Sequence, residues 1–453
     1  MDYLQVVLVL ILIFVSFGAV LSGIPVAFAL GGAAINVALI ATVFGVFDLT
    51  YLGAIPSRIF GTAMFNEVLT AVPLFVLMGI ILERSNIAED LLTNMSKVFG
   101  RLPAGLGISV TFVGALLAAS TGIVGATVVT MGLLSLPTML KRGYSPSFAA
   151  GTICSSGTLG QIIPPSIVLV FLGDQLSGAY MEAQREIGNF SPEPVSVGDL
   201  FAGALIPGLG LAFLYMLYQL IVGMVNPKVC PPMTKEELGD IVWADVFMSL
   251  FAPIGLIVLV LGCILAGIAT PTEAAGVGAT GALLLTGRRL CSDGDGQRKA
   301  YPLYQKIISI GIACTLLLPI VRSFADLRLA VDVITPWNGF MIGVAMLCSL
   351  ALLGAVVASL AVFKNRKLLS EIATMTMRVS TLAFIIVVGA TIFSLVLRSV
   401  GGDEVVEHML SQIPGGVLGA LIVISIVVFL LGFILDFIEI VFIIMPIVAP
   451  IIL

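Results

Sequence analysis

Charged side chains are scarce in this sequence. Only 10% of its 453 residues are Asp, Glu, Lys or Arg, whereas 59% are hydrophobic. Soluble domains carry about 25% charged residues, so this chain cannot cover a water-exposed surface of ordinary polarity. Apolar runs long enough to cross the roughly 30 Å hydrocarbon layer recur from Leu4 onward, about a dozen when half-helices are included. The composition therefore predicts an all-α polytopic membrane protein.

Other absences exclude whole classes of function. The sequence has no basic stripe and no GxxxxGK[ST] phosphate loop, so nothing predicts nucleic-acid binding or nucleotide hydrolysis. A single histidine and six cysteines without paired spacing argue against structural zinc and a disulfide framework. No Lys or Arg precedes Arg58, so the first apolar run lacks the basic start of a signal peptide, and the N-terminus is expected outside the cytoplasm. Because the sequence has no phosphate loop for nucleotide hydrolysis, any transport would have to draw on an ion gradient or another protein.

Two regions share a layout, which predicts an internal duplication. The segments "ERSNIAEDLL" and "GRLPAGLG" and an apolar run ending at Pro137 match "LRSVGGDEVVEHML", "QIPGGVLG" and an apolar run ending at Pro450. Each region is expected to form a re-entrant helical hairpin. Basic residues flank the first hairpin and acidic residues precede the second, so an inverted-topology pair is predicted. These flanking residues are Lys97, Arg101, Lys141, Arg142, Asp403, Glu404 and Glu407.

The duplication also predicts a domain layout. The predicted parts are N-terminal helices (1–66), a first repeat (67–180, with hairpin 103–137 and broken helix 148–175), connecting helices (181–378, with a cytoplasmic loop at 287–301 and extra helices at 307–362) and a second repeat that is incomplete at its C-terminal end (379–453). Pro450 corresponds to Pro137, so the counterpart of residues 141–166 is missing from the second repeat. We therefore expect a truncated chain that forms at most one complete cleft.

The stretch "GTLGQIIPPS", residues 157–166, places two glycines and two adjacent prolines in an apolar region. Glycine permits unusual backbone angles and proline lacks an amide donor, so a helix through this stretch is expected to break. Unwound backbone in hydrocarbon is tolerated only where protein, ion or water satisfies it, so the break predicts a binding site. Its candidate residues are Ser155, Ser156, Gly157, Thr158, Gly160, Pro164, Pro165 and Ser166. The alternative is a proline kink that merely bends a packed helix.

A second interruption, "STGIVGAT", falls at the expected tip of the first hairpin. It adds the candidate ligands Ser120, Thr121, Gly122 and Thr127. Oxygen ligands without formal charge suit a monovalent cation such as Na⁺, and the N-termini of nearby half-helices would favour an anionic substrate.

Asp436 and Glu439 fall at the tip of the second hairpin. Carboxylates inside a membrane are costly, so a role in cation coordination or protonation is expected. Because the two residues are three apart, they share a helical face. The alternative is a hydrogen-bonded pair that only anchors the tip. Asp174, Glu67 and Arg398 are weaker candidates, since each could keep its charged group in water at an interface.

The segment "ATPTEAAGVGA" predicts a helix start rather than a site. Thr270 would be the N-cap, Pro271 the first helical residue and Glu273 the second member of a capping box. A substrate role for Glu273 is the alternative.

The sequence resembles the large membrane subunit of tripartite ATP-independent periplasmic (TRAP) transporters. The matching stretches are "STGIVGATVVTMGLLSLPTMLKRGYSPSFAAGTICSSGTLGQIIPPS", "GIATPTEAAGVGA" and "LGFILDFIEIVFIIMP". The connector "NPKVCPP" and the extra helices are similar to the mannitol/chloroaromatic-type subgroup.

The resemblance implies an elevator-type transporter, in which a scaffold carries a mobile domain of two hairpins and two broken helices. It further implies Na⁺ as the coupling ion, bound at Ser120, Thr121, Gly157 and Gly160, in a site that draws on Thr127 as well and on the break from Gly157 to Pro165. Family members continue into a second broken helix, which is absent here.

The resemblance also implies partners and a location. They are a small four-helix membrane subunit, a periplasmic substrate-binding protein that delivers a small organic acid, and the bacterial or archaeal inner membrane. The expected function is thus the permease subunit of a Na⁺-coupled importer of a small organic anion. A stand-alone Na⁺- or H⁺-coupled elevator-type symporter is the nearest alternative. An intramembrane aspartyl protease using Asp174 and Asp436 is a remote one.

Overall fold

The computed structural model describes residues 3–85, 87–121, 124–233, 242–292, 301–325, 335–433 and 435–452, and within these ranges the chain is helical without any β-strand. The helices of the first half are α1 (Tyr3–Leu21), α2 (Val26–Val43), α3 (Ile55–Ile59), α4 (Ala71–Glu83), α5 (Ile87–Phe99), α6 (Gly105–Thr121), α7 (Val124–Lys141), α8 (Pro146–Thr158), α9 (Ile167–Glu186) and α10 (Val197–Val225). Those of the second half are α11 (Trp243–Leu265), α12 (Pro271–Ser292), α13 (Pro302–Phe324), α14 (Pro336–Asn365), α15 (Leu368–Ser399), α16 (Gly402–Ser411), α17 (Gly416–Leu431) and α18 (Phe437–Ile452).

The described helices include six that are long and apolar enough to cross a membrane, namely α1, α2, α10, α13, α14 and α15. Helices α16 and α17 form a further candidate together, although the chain bends by 113° between them. Shorter apolar helices, among them α4, parts of α6 and α7, and most of α18, are typical of re-entrant segments and half-helices. The predicted all-α polytopic membrane protein is confirmed.

The chain divides into two compact units. The first unit contains Met1–Val72, Ile167–Ala202 and Arg378–Leu453, and the second contains Pro73–Ser166 and Gly203–Met377. The domain boundaries drawn from the sequence stay a prediction.

In the first unit, α9 packs along α18, and the rings of Phe171 and Phe442 meet edge to face with centroids 5.1 Å apart. Helices α2 and α15 approach so closely that a methyl group on Gly389 would lie 2.7 Å from Cα of Ala27. Glycine is needed at that crossing because backbone atoms cannot move aside as a side chain can.

In the second unit, α6 packs against α5, α7 and α8, and α12 packs with α13 and α14. The apolar core of the latter group includes Leu284, Cys291, Ile308 and Val362. Helix α12 extends to Ser292, because its buried face continues as far as Cys291. The cytoplasmic loop expected at 287–301 therefore does not begin at residue 287, and residues 293–300 lie outside the described ranges.

The predicted start of α12 is confirmed. The hydroxyl oxygen of Thr270 accepts the backbone N–H of Glu273 at 3.2 Å, and the Glu273 carboxylate accepts the backbone N–H of Thr270 at 2.9 Å. These two bonds are a capping box, which satisfies two amides that a helix start leaves without partners. The backbone N–H and the side chain of Thr270 both bond to the Glu273 carboxylate, and they lower the pKa of this exposed carboxyl below its ordinary value because they favour its ionised form.

The two duplicated regions contain the same order of elements. A short amphipathic helix precedes two apolar helices in both, as α5, α6 and α7 in one region and α16, α17 and α18 in the other. The turn after the amphipathic helix uses left-handed backbone at matching positions, with φ of 56° at Ala104 and 102° at Gly415. A shared backbone conformation at aligned residues supports the duplication. The opposite orientation of the two hairpins stays a prediction.

Candidate functional site

A broken helix lies where the glycines and prolines predict it. Ser145 caps the N-terminus of α8 by accepting the N–H of Phe148 at 3.3 Å, and Pro146 occupies the first turn. Helix α8 ends at Thr158, a single 3-10 turn covers Leu159–Gln161, and α9 begins at Ile167. The intervening residues are not helical, because two consecutive prolines cannot donate to the helical hydrogen-bond ladder.

The end of α8 is tightly packed against both arms of the first hairpin. A methyl group on Gly157 would overlap the side chain of Val128 in α7 and lie 3.3 Å from its Cα. A methyl group on Gly114 in α6 would lie 2.8 Å from Cβ of Ser156. Thr127, next to Val128, is buried. The structure thus brings the start of α7, with its candidate ligand Thr127, to the end of α8, where the break begins.

The candidate hydroxyls of this region all donate to nearby carbonyl oxygens. The bonds are Ser155 to Thr152 (3.1 Å), Ser156 to Ile153 (3.0 Å), Thr158 to Ser155 (2.8 Å) and Ser166 to Gln161 (2.7 Å). A hydroxyl that donates its proton still has oxygen lone pairs, so each can accept a cation or another donor. Ser156, Gly157, Gly160, Pro164, Pro165 and Ser166 are buried, Ser155 is half-buried and Thr158 is exposed.

The remaining residues of the first cluster lie at the end of α6. Ser120 and Thr121 form its last turn, whereas Gly122 lies outside the described residues. The assignment of Na⁺ to Ser120, Thr121, Gly157 and Gly160 stays a prediction.

Asp436 and Glu439 belong to the start of α18. The Glu439 carboxylate accepts the backbone N–H of Asp436 at 3.1 Å, and the Asp436 carboxylate accepts the N–H of Phe437 at 2.8 Å. Asp436 is therefore the N-cap residue of α18. Glu439 is the third residue of the helix, and its carboxylate bonds to the N-cap amide as in a capping box. The hydrogen-bonded arrangement foreseen as the alternative is present. Whether these carboxylates also bind a cation stays a prediction.

The first unit also contains a polar cavity that the sequence did not predict. Its volume is about 420 Å³, and its walls come from the segment after α3 and from α9, α15 and α18. Asp174 accepts a hydrogen bond from Asn66 at 2.7 Å and from Gln175 at 3.1 Å. Arg398 forms an ion pair with Glu182. From the sequence, Asp174 and Arg398 are weaker site candidates, and nothing in it links positions so far apart.

A second cavity, of about 470 Å³, adjoins the same ion pair. Glu182 and Arg398 line both cavities, and Asp403 and Glu407 add two more carboxylates to the second one. We call the first the polar cavity and the second the acidic cavity.

A family comparison covers nearly the whole chain. The family model described as "Tripartite ATP-independent periplasmic transporter, DctM component" matches residues 11–299 and 297–453. The chain belongs to this family. TRAP permeases are transport proteins rather than enzymes, so the aspartyl-protease alternative is excluded. In this chain, Asp174 and Asp436 bond to different partners.

Several curated TRAP permeases are similar to the chain. It is 33% identical over 273 residues to the C4-dicarboxylate TRAP transporter large permease protein DctM of Rhodobacter capsulatus, covering 59% of this chain and 60% of that protein. It is 33% identical to the ectoine TRAP transporter large permease protein TeaC of Halomonas elongata, covering 48% and 46%, and 30% identical to the isethionate TRAP transporter permease protein DctMQ of Oleidesulfovibrio alaskensis, covering 58% and 37%. The chain spans about half the length of the curated relatives it matches.

Proposed function

We propose that the chain is the membrane permease of a Na⁺-coupled secondary transporter that imports a small organic anion by an elevator mechanism. In this proposal, Na⁺ binds at the first hairpin tip and the α8 break, and the mobile domain carries ion and substrate across the membrane together. The relatives' names, which include a dicarboxylate and a sulfonate, support an anionic substrate, while ectoine shows that the family is not restricted to simple carboxylates.

One observation carries the proposal: the hairpin arm α7 packs directly on Gly157, at the end of helix α8, which stops at Thr158. A helix end in a membrane has carbonyl groups without helical partners, and each must be satisfied. The hydroxyl oxygens of Ser155, Ser156 and Thr158 have lone pairs that can still accept a cation or a donor. In the proposal, these neutral oxygens are the ligands of Na⁺.

The proposal includes two partners, a small four-helix membrane subunit and a periplasmic substrate-binding protein. It also includes the bacterial or archaeal inner membrane, with the N-terminus in the periplasm. The test is reconstitution of the full-length permease and its small subunit in liposomes. We expect uptake of labelled succinate only when an inward Na⁺ gradient and the binding protein are both present. Uptake that persists without the binding protein would favour the stand-alone symporter, and uptake indifferent to Na⁺ would contradict ion coupling.

Substitution of Ser120 with alanine tests the proposed cation site. Removal of one oxygen ligand should shift the Na⁺ activation curve of uptake by about tenfold toward higher Na⁺, since a hydrogen bond or ligand contact to a charged group is worth roughly 1.5–3 kcal/mol. Ser349→Ala is the control, because Ser349 is an exposed helical serine whose hydroxyl bonds only to the carbonyl of Ala345. An unchanged activation curve in Ser120→Ala would remove this residue from the site.

A further inference from the structure

The polar cavity of the first unit contains a cationic side chain that the proposed Na⁺ site does not use. Arg58 lines this cavity together with Thr62, Asn66, Asp174 and Arg398. We propose that the cavity is a second solute site, which binds the carboxylate or sulfonate group of a small organic anion through Arg58. This inference rests on the proposed transport of such an anion, but it concerns a different set of residues.

Arg58 is the guanidinium of the cavity that is available to an anion. Both oxygens of Asp174 accept neutral side-chain amide donors, and Glu182 is paired with Arg398. Arg58 belongs to no ion pair within the described part of the chain. Of the two guanidinium groups that line the cavity, Arg398 is therefore held by a carboxylate and Arg58 is not. A guanidinium offers parallel N–H donors that match the two oxygens of a carboxylate or sulfonate.

The backbone beside Arg58 is unusual in a way that leaves room for a ligand. A π-helical turn, Phe60–Met64, follows α3 directly, and Gly61 within it has open space where a Cβ would lie. Such π turns occur frequently at functional sites, because they shift side chains away from regular helical positions. Gly61 and Thr62 of this turn both line the cavity.

Asn66 holds this segment in place. Its amide nitrogen donates to Asp174 on α9 at 2.7 Å, while its amide oxygen accepts the N–H groups of Val68 at 3.0 Å and Leu69 at 3.3 Å. The segment that carries Arg58 is thus tied to α9 by a fixed side chain. A preorganised wall lowers the entropy cost of binding a small ligand. The cavity volume of about 420 Å³ also lies within the usual range for small-molecule sites.

Arg398 is a second cationic side chain of the cavity to which an anion can bind. Its guanidinium pairs with Glu182, lies 3.8 Å from Asp403 and donates to the carbonyl of Pro446 at 3.4 Å. Glu182 competes with any incoming oxyanion for this guanidinium. Neutralising Glu182 should therefore strengthen anion binding, a result that no merely structural role of the pair would produce.

The test is binding of succinate to the purified full-length permease in Na⁺-free choline buffer, measured by isothermal titration calorimetry. Isethionate tests whether the cavity also binds a sulfonate group. Succinamide, which has no charge, is the control for ligand binding that does not depend on the anionic group. We expect Arg58→Ala to weaken succinate binding about tenfold or more, Arg58→Lys to weaken it less, and Glu182→Gln to tighten it severalfold. Arg185→Ala is the matched protein control, since Arg185 is an exposed arginine on α9 that does not line the cavity.

Equal succinate affinity in the wild type and Arg58→Ala, or equal binding of succinamide, would overturn the inference. Weaker binding after Glu182→Gln would also count against it. Thermal unfolding of each variant identifies any that fails to fold, and Arg58→Lys then serves in place of Arg58→Ala. Because the measurement needs no Na⁺ gradient, it is independent of the proposed coupling. If succinate binds through Arg58 but the protein shows no Na⁺-driven uptake, the anion site stands and the transport proposal is rejected. If uptake is normal and Arg58→Ala leaves succinate affinity unchanged, the transport proposal stands and the anion site is rejected.

Discussion

Substitution of Gly157 with alanine is expected to abolish Na⁺-dependent uptake. The added methyl group would overlap the side chain of Val128 and approach its backbone to 3.3 Å. Overpacking of this kind typically costs about 1–3 kcal/mol, and here it would separate the hairpin arm from the end of α8. Oxygen ligands contributed by both elements could then no longer surround one ion. The measurement is the initial rate of uptake as a function of Na⁺ concentration in proteoliposomes.

The same helix provides a matched control. Gly151 also lies in α8, but nothing lies within 4 Å of the position where its Cβ would be, so Gly151→Ala should transport normally. Val128→Ala removes the methyl group that Gly157→Ala would meet, so the double variant should recover part of the uptake. Normal uptake by Gly157→Ala alone would mean that close contact between α7 and α8 is not required for coupling.

Substitution of Asp436 with asparagine, or of Glu439 with glutamine, separates the two roles open to this pair. Asn is as good an N-cap as Asp, and Gln can replace Glu in a capping box, so both variants keep the hydrogen bonds at the start of α18. Only the charge is lost. We expect each variant to lose at least about 90% of uptake while its unfolding temperature changes little, because charge inside a membrane is costly unless it is used.

Glu273→Gln is the control for this experiment, since Glu273 completes the capping box of α12 in the same way. It should leave uptake unchanged. If Asp436→Asn and Glu439→Gln also transport at the wild-type rate, the pair is a helix cap and nothing more.

Local sequence rules predicted those parts of the structure that depend on neighbouring residues. The break at the Pro164–Pro165 pair follows from backbone chemistry, and the start of α12 follows from the Thr-Pro-x-Glu pattern. The same spacing occurs in "DFIE", with an N-cap residue three positions before Glu, although the cost of carboxylates inside a membrane favours a ligand pair there. The hydrogen bond from the Asp436 N–H to the Glu439 carboxylate could thus have been predicted by the rule that applies to Thr270 and Glu273.

The polar cavity could not have been predicted in this way. Arg58, Asp174 and Arg398 come from three distant parts of the chain, and only tertiary packing brings them to one cavity. Hydrophobic periodicity shows which residues face lipid or protein, but it does not show which polar residues of different helices meet. The extent of α12 was missed for a similar reason, since the packing of Cys291 against α13 and α14 decides where that helix ends.

The ion pair between Arg398 and Glu182 links the two cavities thermodynamically, because both side chains line each of them. An oxyanion that draws Arg398 toward the polar cavity leaves Glu182, Asp403 and Glu407 with less positive charge beside them. The acidic cavity then attracts cations more strongly. Linkage is reciprocal, so a cation held there must strengthen anion binding in the polar cavity by the same factor. If an anion binds in the polar cavity as proposed, the arginine shared by the two cavities couples its binding to that of a cation in the acidic cavity.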